Sequence, residues 1–215
     1  MSRLRRAAAP PSRLFLLSPA NCGGERARLV FNEQARFDLA VRLRSPEGAT
    51  LSEAFTFMSG LYFRGKIAYA LHFARPPRGV PGVLVITPNE GLRLHNERVD
   101  LPRLRRFGEV DIARDDPRYR GPLLRDANAL AEHVDPAAQI VLLGSIASGK
   151  YVDVLTSVFG ERLLFPSAFV GRGDMSRGGL LLRCVRDDRE LDYVPVVGAV
   201  RHGPRPPRLA PVRWK

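Results

Sequence analysis

Residues 139–155, QIVLLGSIASGKYVDVL, contain an apolar run, then a loop of small polar residues, then the start of an amphipathic segment. The apolar run at 140–143 stops at Gly144, and Val152, Val154 and Leu155 can form the apolar side of a helix. Strand, tight loop and helix in this order are the unit from which open α/β sheets are built. Because ligands of such sheets lie beyond the carboxyl ends of the strands, residues 144–151 are predicted to line a site.

The same loop partly matches the phosphate-binding loop of P-loop NTPases, G-x-x-x-x-G-K-[ST]. Gly144, Gly149 and Lys150 match, but Tyr151 stands where Ser or Thr would bind magnesium. A phenol is too long and too poor a ligand for a cation that prefers compact octahedral oxygen ligands. Nucleotide binding is therefore kept as an alternative, beside the simpler interpretation that a strand-to-helix turn needs small residues.

The composition is that of a globular protein, with 215 residues and 45% hydrophobic side chains. We expect a disordered basic arm at 1–13, a single α/β domain at 14–200 and an extended, basic, Pro-rich tail at 201–215. No apolar run approaches the roughly 20 residues that span a bilayer, so no membrane partner is predicted. Two distant cysteines, Cys22 and Cys184, and no secretory signal indicate a cytoplasmic protein with free thiols.

The charge balance is strongly basic, because 34 Lys and Arg residues against 22 Asp and Glu residues give a formal net charge of +12. Nearly all of the cations are Arg. A GC-rich genome would explain the choice of Arg, but it would not explain the excess over acids. Such an excess favours a polyanionic partner, and guanidinium groups suit phosphates and guanine edges. Nucleic acid is the predicted partner, with DNA ahead of RNA.

Apolar runs predict strands at 14–17, 83–86, 140–143, 163–165, 180–185 and 194–200. Helical spacing appears at 34–44, at 123–133 and after Tyr151, and also at 50–73, where Gly60 and Gly65 are expected to interrupt the helix. Residues 93–121 are polar and Arg-rich and are predicted to form a surface region with weak structural signals. The alternation of strands and helices predicts a three-layer α/β/α sandwich with a mostly parallel central sheet.

Three of the predicted strands end in polar loops, at 18–26, 87–92 and 144–151, which should converge on one edge of a parallel sheet. A Gly-rich loop at 171–179 adds further polar side chains. Carboxylates, amides and cations around one cleft can hold a base edge, a phosphate and a water together. The candidate catalytic residues are Asn21, Glu90 and Asp174. The candidate nucleic-acid-binding residues are Tyr62, Arg64, Lys66, Ser145, Ser148, Lys150 and Arg177.

Several of these residues also have simpler interpretations. Glu90 could be a helix N-terminal carboxylate, and Asp174 could accept hydrogen bonds from turn amides. Cys22 is either a nucleophile or a small buried thiol. The aromatic segment 55–73 is mainly core, and Tyr62 and Phe63 are its candidates for stacking on an unstacked base. The four histidines lack the spacing of metal ligands, so no metal site and no cofactor is predicted.

Four motifs, LLSPANCGG, SGLYFRGKIAYA, VLVITPNEGL and VLLGSIASGKY, follow one another between residues 14 and 155. Their order resembles that in a group that includes the YaaA peroxide-stress family and the glycosylase-like domain of archaeosine synthase. The fold of this group is related to that of uracil-DNA glycosylases. The resemblance implies a nucleic-acid-directed function, including cleavage of an N-glycosidic bond. The Gly-Gln-Asp-Pro-Tyr-His signature of uracil-DNA glycosylases is absent, and Asn21 is the nearest polar residue after the first strand.

The resulting hypothesis is a DNA glycosylase-like enzyme that flips a base into the cleft and stacks an aromatic ring on it. Glu90, Asp174 or Asn21 would place a water against the sugar carbon, while Lys150 stabilises the leaving base. The missing signature suggests a different, modified base, with phage defence or DNA repair as the setting. The alternatives are a non-catalytic DNA- or RNA-binding stress-response protein and a P-loop-like nucleotide-binding protein.

Overall fold

The computed structural model describes residues 11–112 and 115–210. The predicted arm therefore lies almost wholly outside the described residues, as does the end of the tail. The strands are β1 (Arg13–Leu17), β2 (Ala49–Thr50), β3 (Val83–Thr87), β4 (Gly91–Leu94), β5 (Arg98–Val99), β6 (Gln139–Leu143), β7 (Leu163–Pro166) and β8 (Tyr193–Pro195). The α-helices are α1 (Glu25–Phe31), α2 (Asp38–Arg44), α3 (Leu51–Ser59), α4 (Leu61–Phe73), α5 (Leu101–Gly108), α6 (Pro117–His133), α7 (Val152–Phe159) and α8 (Asp174–Arg186).

Six of the strands in this part of the chain form one sheet, in the order β4-β3-β1-β6-β7-β8. The four inner strands are parallel to one another, and β4 and β8 pair antiparallel at the two edges. The two-residue strands β2 and β5 form a separate antiparallel pair. The predicted α/β class with a mostly parallel sheet is thus confirmed.

Helices cover both faces of this sheet because its strands are apolar on both sides. In β1, Phe15 and Leu17 belong to a core shared with α1–α5 and α8. The alternate residues Leu14 and Leu16 belong to a second core shared with α6 and α7. All five residues of β1 are buried, as expected for a central strand in a three-layer sandwich.

The segment 50–73 forms two helices, with the break at Gly60 (φ +60°) as predicted. A capping box starts α3: Thr50 Oγ1 accepts from the Glu53 amide at 3.2 Å, and Glu53 Oε2 accepts from the Thr50 amide at 2.7 Å. The second predicted interruption is wrong, because α4 runs straight through Gly65. A Cβ at that position would lie 2.7 Å from the Gly178 carbonyl oxygen, so this glycine permits backbone contact between α4 and α8.

The predicted strand at 180–185 is also wrong, since these residues lie inside α8. The run LLLRCV fits a buried strand or a helix equally well when it is short. The helix presents Gly178, Leu181 and Cys184 as its buried residues, at helical spacing. A Cβ at Gly178 would lie 2.6 Å from the Leu61 carbonyl oxygen, so the two helices cross at close range.

Three further parts of the chain differ from the predicted secondary structure. The segment 93–121 contains β5 and α5, where Leu101, Leu104 and Phe107 give a helical apolar face behind an Asp100 cap. The helix α1 has no counterpart in the prediction, and the strand expected at 194–200 shrinks to β8. Residues 201–210 carry no regular secondary structure, as expected for the tail. None of the helices in the described ranges is both long and apolar enough to cross a bilayer.

Candidate functional site

A crevice forms where the order of strand addition reverses. After β1 the chain adds β3 on one side, then β6 on the other side of β1, then β7. Loops leaving β1 and β6 therefore diverge, which opens a crevice at their carboxyl ends. A cavity of about 730 Å³ lies there, lined by residues from the loops after β1, β3 and β6. The ends of α3 and α5 and the start of α8 complete its wall.

The cavity wall is acidic. Among the described residues, three carboxylates line it: Glu109 and Asp111 after α5, and Asp174 at the first position of α8. The Asp174 side chain is 68% exposed and lies 3.5 Å from the Arg177 guanidinium. Lys150 also lines the cavity, is exposed, and forms no ion pair within the described ranges. Among the described residues of the wall, negative groups thus outnumber positive ones, although the whole chain is strongly basic.

A buried lysine supports the floor of the cavity. Lys66 is 1% exposed, and its ammonium donates to the backbone oxygen of Ser18 at 2.6 Å and to Ser18 Oγ at 2.9 Å. It also lies 4.6 Å and 4.7 Å from the ring centroids of Tyr62 and Phe63. Burial lowers the pKa of Lys66 to about 7, and the nearby Asp174 carboxylate opposes that lowering. Lys66 therefore positions the turn after β1 and does not face a nucleic acid directly.

Tyr62 lines the cavity, but its hydroxyl is buried. Its side chain is 5% exposed and lines the cavity, and its hydroxyl has no hydrogen-bond partner in the described residues. Burial raises the pKa of Tyr62, so the phenol is neutral at neutral pH. The Arg177 guanidinium opposes that rise, and it also donates to the Phe169 carbonyl at 3.1 Å and lies 3.5 Å from Asp174. Buried hydroxyls usually have a well-formed hydrogen bond, so the Tyr62 hydroxyl is an exception in the wall of the cavity.

The loop after β6 differs from a phosphate-binding loop in two contacts. The Ser145 amide donates to Tyr151 Oη at 2.9 Å, and Gly144 is required because a Cβ there would lie 2.9 Å from the same oxygen. The Asp153 carboxylate lies against Gly149 at the start of α7. In a P-loop, such amides point at phosphates and the helix start holds the anion. The protein itself occupies these two positions, which disfavours a nucleotide phosphate at this loop.

Half of the predicted site residues line the cavity, and the others lie outside its wall. Those in the wall are Asn21, Tyr62, Ser145, Lys150 and Asp174. Those outside it are Arg64 and Ser148, which are exposed, Arg177 and Lys66, which support the wall from behind, and Glu90.

Glu90 is held in an ion-pair network away from the cavity wall. Arg103 Nε lies 2.9 Å and 3.1 Å from its two carboxylate oxygens, and Arg103 also contacts Glu97 at 2.6 Å. This network ties the β3–β4 hairpin to α5. Asn21 does line the cavity, but its Oδ1 accepts from the Gly23 amide at 3.0 Å and so stabilises its own turn. Glu90 thus has a structural role, and Asn21 lines the site while it stabilises the turn after β1.

Cys22 is a small buried thiol. It is 3% exposed, and its Sγ lies 3.7 Å from the Ala20 carbonyl oxygen. Burial raises the pKa of Cys22 to about 12, so the nucleophilic thiolate does not form near neutral pH. Both cysteines are free thiols. Within 11–112 and 115–210, no group of three or more His, Cys, Asp or Glu side chains could hold a metal ion.

Sequence reasoning missed Ser18, Glu109 and Asp111 as site residues. Residues 18–26 are predicted to line the site, but no feature of the sequence distinguishes Ser18 within this loop. The two carboxylates lie in the segment expected to have only a surface role. The signal that could have found them is the apolar face of α5, which predicts a helix that ends directly before two acidic residues.

Comparisons with protein-family models, with curated proteins and with solved structures found no match. The resemblance in the four motifs therefore stands on those motifs alone. The geometry and charge of the site are the basis for the function proposed below.

Proposed function

We propose that this protein is a DNA glycosylase-like enzyme that hydrolyses the N-glycosidic bond of a nucleotide in nucleic acid. The observation that carries the proposal is the cavity at the β1–β6 crevice, whose wall combines three carboxylates with one lysine among the described residues. Cleavage of a glycosidic bond builds positive charge on the sugar ring and negative charge on the departing base. Carboxylates stabilise the first charge, and a nearby ammonium stabilises the second.

Asp174 is the carboxylate best placed to orient the attacking water. It begins α8, its side chain is 68% exposed, and it lines the cavity together with Tyr62. Glu109 and Asp111 line the same cavity and add negative charge around the developing sugar cation. Lys150 has no ion-pair partner in the described residues and supplies the positive group for the leaving base.

The size and lining of the cavity suit a nucleotide base. Ligand pockets hold drug-sized molecules in volumes of about 300–1,000 Å³, and this cavity has about 730 Å³. Tyr62, Phe107 and Tyr151 contribute aromatic surface to its wall. An enzyme acting on a paired base has to flip it out of the stack into such a pocket. The missing uracil signature favours a modified base, with phage defence or DNA repair as the setting.

The acidic lining of the cavity favours a hydrolase over the alternative of a non-catalytic, nucleic-acid-binding stress-response protein. Carboxylates repel phosphates, so a protein that only binds nucleic acid gains no affinity from Glu109, Asp111 and Asp174. A hydrolase gains transition-state stabilisation from the same groups. The concentration of acids in the cavity of a basic protein therefore supports catalysis.

The test is incubation with single-stranded and duplex oligonucleotides that carry normal or modified bases. We expect release of a free base, detected by mass spectrometry, and alkaline strand cleavage at the resulting abasic site. Asp174→Asn should abolish most of the release, whereas Asp187→Asn, at the other end of α8, should not. Binding of oligonucleotides without release of any base would refute the proposal in favour of a binding protein.

A further inference from the structure

A second cavity lies on the outer side of α8, between the helix and the chain segment at 205–209. Its volume is about 390 Å³. Its lining contains no carboxylate within the described residues, but it contains four arginines. These are Arg172, Arg183, Arg205 and Arg208. We call this cavity the arginine groove.

The two walls of the groove are tied together by hydrogen bonds to backbone carbonyls. Arg172 Nη1 donates to the Pro207 carbonyl at 3.4 Å, and Arg183 Nη2 donates to the carbonyl of Ala210. Three prolines at 204–207 favour an extended backbone there and offer no amide donors. The tail therefore forms one side of the groove while its own arginine side chains stay available.

The arginines of the groove have no carboxylate partner among the described residues. None of its four arginines forms an ion pair with a carboxylate in the part of the chain that the structure describes. Arg205 and Arg208 are exposed. Elsewhere, Arg42 and Arg103 each contact two carboxylates. A cluster of uncompensated guanidinium groups attracts phosphates and releases their counterions on binding.

The arginine groove and the acidic cavity share a wall. Leu61 and Met175 line the groove, and their chain neighbours Tyr62 and Asp174 line the cavity. The close crossing of α4 and α8 fixes this arrangement. We propose that the arginine groove binds the phosphodiester backbone beside the nucleotide whose base enters the cavity. This inference rests on the proposed function and assigns the backbone-binding surface that it needs.

Salt-dependent binding of a fluorescent oligonucleotide tests the groove. The variant is Arg205→Gln/Arg208→Gln, which removes two exposed charges. The control is Arg78→Gln/Arg189→Gln, which removes two exposed arginines that form no ion pair in the described residues. Arg189 lies beside Glu190, which contacts Arg13 at the amino end of β1, and Arg78 precedes β3. The control thus changes the same net charge at two residues that do not line the groove.

Each phosphate contact contributes about 0.7–0.9 to the slope of log affinity against log salt, so the groove variant should lose about 1.4–1.8 of slope. Its affinity near 0.1 M salt should fall by about tenfold or more, whereas the control should change by less than about twofold. Circular dichroism and thermal unfolding check that both variants fold. If the groove variant keeps the slope and affinity of the control, the inference is wrong. Base release is measured in parallel. If the wild type binds through the groove but releases no base, the proposed function is refuted and the inference about the groove stands.

Discussion

The acidic cavity and the arginine groove lie on either side of the α4–α8 crossing and carry opposite charge. Among the described residues, the cavity wall has three carboxylates and one lysine, whereas the groove has four arginines and no carboxylate. A phosphate backbone is attracted to the second surface, and a sugar with developing positive charge is stabilised by the first. The proposal thus assigns binding and chemistry to neighbouring surfaces of opposite charge, in a chain whose overall net charge is +12.

The largest expected effect comes from the cavity. Asp174→Asn should lower kcat for base release by about 10²–10⁴, because a positioned acid or base contributes that much. Oligonucleotide affinity should stay the same or rise, since a negative charge near the phosphates is removed. Single-turnover base release and equilibrium binding measure the two quantities separately. Equal losses in both would show that Asp174 only maintains the structure.

The buried Lys66 beneath the cavity should make the stability of the folded protein depend on pH. The folded protein holds Lys66 at a pKa of about 7, below the ordinary lysine value of 10.5. Between these values the unfolded chain binds a proton that the folded protein has lost, so stability rises with pH, by at most about 1.4 kcal/mol per pH unit. Below pH 7 both states are protonated, and this contribution to the slope disappears.

Lys66→Met should remove this rise, so its free energy of unfolding should change less with pH than that of the wild type. Urea unfolding at about pH 6.5, 8 and 9.5 tests this, with the exposed Lys150→Met variant as a control that keeps the rise. If the free energy of unfolding changes with pH in the same way in the wild type and in Lys66→Met, the lowered pKa of Lys66 is contradicted.

The arginine groove predicts a smaller effect that falls on KM instead of kcat. Arg205→Gln/Arg208→Gln should raise KM for oligonucleotide cleavage by about tenfold and leave kcat within about twofold, because these groups contact phosphates away from the reacting sugar. Steady-state kinetics at fixed salt measures both. A drop in kcat with unchanged KM would place these arginines in the chemical step and remove the distinction between the two surfaces.

The smallest expected effect on base release comes from replacing Tyr62. Its hydroxyl is buried and has no well-formed hydrogen bond among the described residues, so Tyr62→Phe should not lower stability by more than about 0.5 kcal/mol. If a bound ligand reaches this hydroxyl, the variant loses one hydrogen bond and its kcat/KM should fall by about 3- to 10-fold. Thermal unfolding and base-release kinetics give the two values. A destabilised variant with unchanged kcat/KM would show that the hydroxyl has a structural partner and no ligand.

The sequence predicts the sheet better than it predicts the site. The strands at 14–17, 83–86 and 140–143 are short apolar runs bounded by polar turns, and their carboxyl ends meet because the strands are parallel. Glu90 follows such a strand, but its distant partner Arg103 cannot be inferred from spacing. The sequence predicts a strand at 180–185 inside α8, because the preceding glycines, which let this helix pack on α4, are typical of a loop. Side-chain pairing and helix crossing depend on tertiary contacts that local patterns do not encode.

The most direct test of the central claim compares two abasic-site analogues at one position of an oligonucleotide. One carries a cationic pyrrolidine ring, which imitates the charged sugar of the transition state, and the other a neutral tetrahydrofuran ring. If the three carboxylates stabilise that charge, the wild type should bind the cationic analogue at least about tenfold more tightly. The combined variant Glu109→Gln/Asp111→Asn/Asp174→Asn should lose this preference. Equal affinities in the wild type, or a preference that survives in the variant, would contradict the account.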